Sequence, residues 1–193
     1  MSVPTKSNKL IAKAAAAAFG TKPSVHRYWD EQGKASVDIL SCTDSPWQGV
    51  TSYATLGVSD IPIMIKGKEI DVRAELVGGC RSEIEIFGNC LAATAFGVIR
   101  SGWFIAPGVV LLDMLSQCDE WSAMKHLLLL PPFLWGEKLK TLYLGDKKVT
   151  WLLVVPISQQ ELKFSESAGV PELENLFEDH QIDIFNLSRE SVV

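Results

Sequence analysis

Five side chains have the types that acid/base or nucleophilic chemistry would need: His26, Ser59, Asp60, Arg73 and Glu75. A nucleophilic serine requires a base within hydrogen-bond reach and a third group to orient that base. Ser59 and Asp60 are adjacent, and neighbours on an extended chain point to opposite faces, so they cannot form a relay by themselves. An Asx turn closing a strand is the expected role of that pair. Arg73 and Glu75 lie two positions apart and share a strand face, where they are expected to pair with each other or with neighbouring strands. His26 stands among aromatic and β-branched residues with no second ligand close by, which predicts a strand histidine hydrogen-bonded across a hairpin rather than a metal ligand. An enzyme is therefore supported only if these five residues converge in a pocket. No GxGxxG, GxxxxGK[ST] or other recognised catalytic motif occurs, and neither a catalytic residue, a cofactor nor a metal site is expected.

Cys42, Cys80, Cys90 and Cys118 form no CxxC and no zinc-like spacing with His26, His126 or His180. Four cysteines in 193 residues fall far short of a disulfide framework, so reduced thiols of a cytoplasmic protein are predicted. Charge offers a different kind of chemistry. Residues 157–193 carry Lys163 and Arg189 against eight carboxylates, which leaves 16 basic against 15 acidic residues of the chain's 18 and 23 for positions 1–156. The body is close to neutral and the tail is acidic. A sequence pI near 5.2 disfavours nucleic acid or an anionic membrane as the direct partner, because both demand clustered cations. A protein partner fits better. Its expected contacts are Asp119, Glu120 and Trp121, an acidic and aromatic stretch, together with Glu172, Glu174, Glu178 and Asp179 on the outer face of a short C-terminal helix. Six tryptophans suggest a large core, a partner surface, or both.

The elements that must position these residues are organised around 122–162. Leu127–Leu130, closed by Pro131-Pro132, and Val149–Val155, closed by Pro156, are apolar runs without alternation and read as fully buried strands. Proline lacks a ladder donor, so Pro131 and Pro156 are expected to mark where each strand leaves the sheet. Thr141–Leu144 forms a short strand turning at Gly145-Asp146, and Ser158 to Glu161 is a capping box opening a helix. Upstream, Val25–Trp29 and Ser36–Leu40 alternate as a hairpin around residues 31–34, and a strand runs to Leu56 before Gly57. Glu69–Val77 predicts a strand with one wet face that ends at Gly78-Gly79. Ser82 to Glu85 predicts a second capping box, opening a helix that buries Phe87, Leu91, Ala95 and Val98. Val109–Leu112 is an expected edge strand. Lys6 to Ala18 is read as an N-terminal helix capped by Ser7 and stopped at Gly20, since its alanine-rich stretch lacks the leucine core of a secretory signal. No stretch approaches the roughly 20 apolar residues of a membrane span. The last ten residues are expected to fray.

Five of these stretches, VHRYWDEQGKASVDIL, YATLGVSDIPI, RAELV, HLLLLPPFLW and VTWLLVVPISQQEL, in this order resemble the suppressor-of-fused domain family over about residues 25–180. Two departures, Gly78-Gly79-Cys80 in place of a frequent Leu-Pro segment and Ile63 in place of methionine, bear on subfamily. The resemblance implies an α/β (α+β) domain with a mixed, mostly antiparallel sheet flanked by helices, spanning residues 23–193 with an acidic C-terminal helical segment and an N-terminal helix, residues 1–22, appended. It also implies protein binding without chemistry. Animal members of the family are similar to scaffolds that sequester transcription factors, whereas short bacterial members resemble immunity proteins that neutralise polymorphic toxins, and this length fits the bacterial type. The expected function is therefore a cytoplasmic immunity protein that binds a cognate toxin domain stoichiometrically, the toxin being basic and of the kind that acts on nucleic acid. A regulatory or chaperone-like protein-binding scaffold is the alternative, and an uncharacterised enzyme stands behind both.

Overall fold

A computed structural model describes residues 4–20, 22–118, 122–145 and 147–193. The chain opens with α1 (Lys6–Phe19), whose N-cap is Thr5 rather than Ser7: the Thr5 hydroxyl accepts the Asn8 amide at 3.1 Å. Its buried stripe is Ile11, Ala15, Ala18 and Phe19, and the small alanines let the helix lie close to the sheet. The strands follow as β1 (Ser24–Trp29), β2 (Ser36–Thr43) and β3 (Val50–Leu56), then a small separate hairpin of β4 (Met64–Ile65) and β5 (Lys68–Glu69), then β6 (Val72–Arg81). After α2 (Phe87–Ser101) come β7 (Val110–Leu111), β8 (His126–Leu130), β9 (Leu142–Leu144) and β10 (Lys147–Ile157), and finally α3 (Gln159–Ala168) and α4 (Val170–Asp179). The main sheet runs β1-β2-β3-β6-β10-β8-β7, with β9 paired to β10.

One contact, β6 with β10, is parallel, and the other pairings among the described strands are antiparallel. That parallel pair is the middle of the sheet, which explains why the β10 and β8 sequences are continuous apolar runs: helices cover both faces there. Leu152 and Val154 join Leu76, Leu127, Leu129 and the buried side of α2 in one cluster, while Trp151, Leu153, Val155 and Ile157 pack with α1, α3 and α4 in the other. The expected mixed, mostly antiparallel sheet flanked by helices is thus the observed fold. α1 joins the second cluster through Ile11, Ala15 and Phe19.

Several local expectations are corrected. β6 has no wet face: it is buried from Ala74 to Cys80, because β3 and β10 flank it and helices cover it. Nor does it stop at Gly78-Gly79, which pair with Tyr53 and Ser52 of β3. The glycines serve close approach instead. A Cβ at Gly78 would lie 2.7 Å from a Val154 methyl and 2.9 Å from the Phe87 ring, and one at Gly79 would lie 2.7 Å from Phe185. Gly78→Ala is therefore expected to lose about 1–3 kcal/mol to overpacking, read as a lower denaturation midpoint with an unchanged m-value. A gain in stability would show that α2 has room to shift.

The expected capping box at Ser82 does not form. α2 begins at Phe87 with no side-chain cap, and the Ser82 hydroxyl hydrogen-bonds that of Thr51 at 2.8 Å. The box at Ser158 and Glu161 is present in both of its bonds. Pro156 lies inside β10, opposite Leu127, rather than at its end. The β6 pairing has already stopped at Leu153, so the proline occupies a stretch with one ladder neighbour, where a missing N–H is tolerated.

The cysteines and the tail also differ from expectation. Cys90 and Cys118 are joined as a disulfide with Cα atoms 5.9 Å apart, whereas Cys42 and Cys80 are free and buried. Burial pushes the Cys80 thiol up to about 12, so it is a packing group rather than a nucleophile. The C-terminal residues do not fray. The Arg189 guanidinium forms a bidentate pair with Glu161 at 2.6 and 2.8 Å and donates to the Pro156 carbonyl at 3.0 Å. Glu161 also accepts the Ser158 amide at 2.9 Å and the Val192 amide at 3.1 Å.

Candidate partner-binding surface

Among the residues with chemistry-capable side chains, the fold brings Ser59 and Glu75 together and leaves the rest apart. The Ser59 hydroxyl donates to Glu75 Oε1 at 2.6 Å, and the amides of Gly57 and Ser59 reach the same oxygen at 2.9 and 3.1 Å. On Oε2 the donors are the Thr55 hydroxyl at 2.6 Å and the Val58 amide at 3.2 Å. Burial pushes the Glu75 carboxyl up, and these hydrogen bonds pull in the opposite direction. Both Ser59 and Glu75 are fully buried, so no substrate reaches them; the carboxylate ties the 3₁₀ turn at 58–60 to the central strand. Asp60 accepts from Lys147 Nζ at 2.8 Å and from Asn8 Nδ2 at 3.3 Å, fastening α1 and β10 to the same turn. Arg73 pairs with Glu69 and donates to the Ile70 carbonyl at 2.7 Å. His26 is exposed on β1, at the sheet edge and three strands from β6. The five residues do not form a pocket. Among the described residues no group of three or more His, Cys, Asp or Glu side chains could hold a metal ion.

The acidic residues of α4 are arranged otherwise. The helix buries Leu173 and Phe177 and keeps Glu172, Glu174, Glu178 and Asp179 exposed. At roughly 100° per residue these carboxylates divide into two pairs on opposite flanks of the buried stripe. Glu174 and Glu178, one turn apart, border a groove of about 480 Å³ lined by Leu130, Phe133, Val155, Phe177, Ile182 and Ile184; Glu172 and Asp179 lie on the other flank and are not among its lining residues. Leu130, Val155 and Phe177 are the buried floor, and Phe133 is a wall with 56% of its surface exposed. Arg189 lies over the Phe177 ring, 5.3 Å from its centroid, so the tail clamp also supports the groove. Asp119, Glu120 and Trp121, the other expected contacts, fall outside the described residues.

Sequence reasoning found the α4 face through its amphipathic spacing but not the groove. Its walls come from the segment after β8, from β10, from α4 and from the segment after α4, and Ile182 and Ile184 flanking Asp183 were the available signal. Of the described tryptophans, Trp135 and Trp151 are in the core, as a large core requires, while Trp29, Trp47 and Trp103 are 53, 56 and 39% exposed.

Comparison with known proteins places this geometry in context. The chain is 44% identical over 189 residues to the Immunity protein YqcF of Bacillus subtilis (strain 168), covering 98% of both chains. Among solved structures, a suppressor of fused homologue from Neisseria gonorrhoeae FA 1090 superposes with a TM-score of 0.69 at 17% identity, over 97% of this chain and 96% of that one. A chain of the Sufu–Fu complex superposes with a TM-score of 0.70 at 14% identity, over 98% and 93%. The likeness to these two structures is one of fold. The family described as Suppressor of fused protein (SUFU) matches residues 33–190, more than half of the chain, and the chain belongs to that family.

Proposed function

We propose that this chain is a cytoplasmic immunity protein that neutralises a cognate toxin domain by stoichiometric binding, without chemistry of its own. The observation that carries the reading is its 44% identity, along nearly the whole length of both chains, to a protein named for immunity. The burial of Ser59 and Glu75 away from solvent and the exposure of four carboxylates on α4 support binding over catalysis. Among the described residues no helix is long and apolar enough to cross a membrane. The cognate toxin domain, co-expressed with this chain, should be rendered harmless, and calorimetry of the purified pair should give one site per toxin. Continued killing in the presence of excess chain, or protection at far below one equivalent, would overturn the proposal.

The acidic helix supplies a second measurement. A toxin that acts on nucleic acid carries clustered cations, and complementary charge chiefly accelerates association while being screened over a Debye length of about 8 Å at physiological salt. Reversal of Glu172, Glu174, Glu178 and Asp179 to lysine is expected to slow association by about tenfold or more at low salt, to flatten its ionic-strength dependence and to leave the melting temperature unchanged. An unaltered rate would remove α4 from the interface.

A further inference from the structure

We propose that the groove between α4 and the segment following β8 receives one aromatic or branched aliphatic side chain from the toxin, presented in a segment where lysine or arginine flanks it. This inference rests on the immunity reading and names the chemistry of its contact. Three observations carry it. The groove is apolar at its base, where Leu130, Val155 and Phe177 are buried, while the Phe133 ring beside them is 56% exposed. An aromatic ring left this open next to an unfilled apolar trough is the arrangement in which a partner's anchor side chain gains most from desolvation. The volume, about 480 Å³, lies within the roughly 300–1,000 Å³ of small-molecule pockets, which gives room for one large side chain together with part of the residues that flank it.

The third observation is charge. Glu174 and Glu178 stand side by side on the rim, and among the described residues neither takes part in an ion pair or accepts a side-chain hydrogen bond. Two unpaired carboxylates one turn apart repel each other modestly, and a cation placed between them relieves that repulsion while its neighbour enters the trough. A second copy of this chain is a poor occupant, since each copy carries a net charge of −5 and an isologous contact would set one acidic rim against another. An anionic membrane is disfavoured on the same ground.

The test uses the full-length chain with isoleucine methyls labelled for NMR and three N-acetylated, C-amidated tripeptides as probes: Lys-Phe-Lys, Lys-Ala-Lys and Glu-Phe-Glu. The expected result is saturable shifts at Ile182 and Ile184 with Lys-Phe-Lys, and binding at least fivefold weaker for both other peptides. The same loss is expected for Phe133→Ala and for Glu174→Lys combined with Glu178→Lys; both variants alter exposed side chains and should keep the parent melting temperature. Absent shifts would overturn the proposal, as would equal binding of Lys-Ala-Lys or Glu-Phe-Glu. It would also be overturned by sedimentation showing a dimer that Phe133→Ala dissolves, which would give the groove to a second copy. Toxin neutralisation by the same variants separates the two readings. If Phe133→Ala abolishes protection, the proposal is supported. If protection survives while Lys-Phe-Lys binding is lost, the assignment of the groove to the toxin falls and the immunity reading stands. If the unmodified chain gives no protection, the immunity reading falls whatever the peptides do, and the assignment of the groove to a toxin falls with it.

Discussion

Replacement of Arg189 by alanine is expected to cost about 3–5 kcal/mol of stability and, at roughly 2–4 °C per kcal/mol for a chain of this size, to lower the melting temperature by about 6–20 °C. The guanidinium and the Glu161 carboxylate are almost entirely buried, at 6 and 0% side-chain exposure. Removing the cation therefore leaves a desolvated carboxylate with only the Ser158 and Val192 amides to hold it. Arg189→Lys keeps the charge but loses the two-pronged geometry, and an intermediate loss is expected. Joint replacement of both partners by leucine should cost less than the two single changes summed, because the lone buried charge disappears. Chemical denaturation of the parent, the alanine and lysine variants, the two single leucine variants and the double leucine variant checks this, and an alanine variant within about 0.5 kcal/mol of the parent would show that the tail is not anchored by the pair.

Trp135→Ala should be comparably damaging, at about 3–5 kcal/mol. The side chain is 5% exposed, its ring lies 4.8 Å from that of Phe19 at the end of α1, and its indole N–H donates to the Ser52 hydroxyl at 3.0 Å. That hydroxyl in turn reaches the Ser45 carbonyl at 2.7 Å. Trp135→Phe would retain most of the ring burial and lose the hydrogen bond, for an expected cost of about 1–2 kcal/mol. Because the Trp135 and Phe19 rings touch, Trp135→Ala and Phe19→Ala should be less than additive. Unchanged stability of Trp135→Ala accompanied by lost partner binding would transfer the residue from the core to an interface.

The central strands were legible in the sequence because β8 and β10 are covered on both faces, and burial on both faces leaves an unbroken apolar run. The Ser158 capping box was legible because its two bonds join residues three apart. The same local rule failed at Ser82, where a cross-strand hydroxyl, Thr51, competes for the serine. Gly78-Gly79 misled because a strand breaker and a strand position crowded by Phe87 and Phe185 look identical until the neighbouring layers are known. The Glu161–Arg189 clamp spans 28 residues, and nothing local to Arg189 distinguishes it from a cation in a frayed tail. The candidate site divides in the same way. The acidic face of α4 follows from helical spacing, whereas the groove needs four separate segments brought side by side, and the failure of His26, Ser59, Asp60, Arg73 and Glu75 to converge is decided by strand order alone.

The position of the clamp also bears on when the protein becomes itself during synthesis. Domains acquire structure as the chain emerges from its N-terminal end, yet the residue that neutralises Glu161, and steadies the Phe177 ring, is Arg189. A nascent chain short of that position can assemble the β1–β3 meander but holds an unmatched carboxylate beneath α3 and an unsupported α4. The groove beside α4 thus gains its support only once Arg189 has been translated, and a product terminated before that position lacks it even though every strand of the sheet, the last ending at Ile157, is already present.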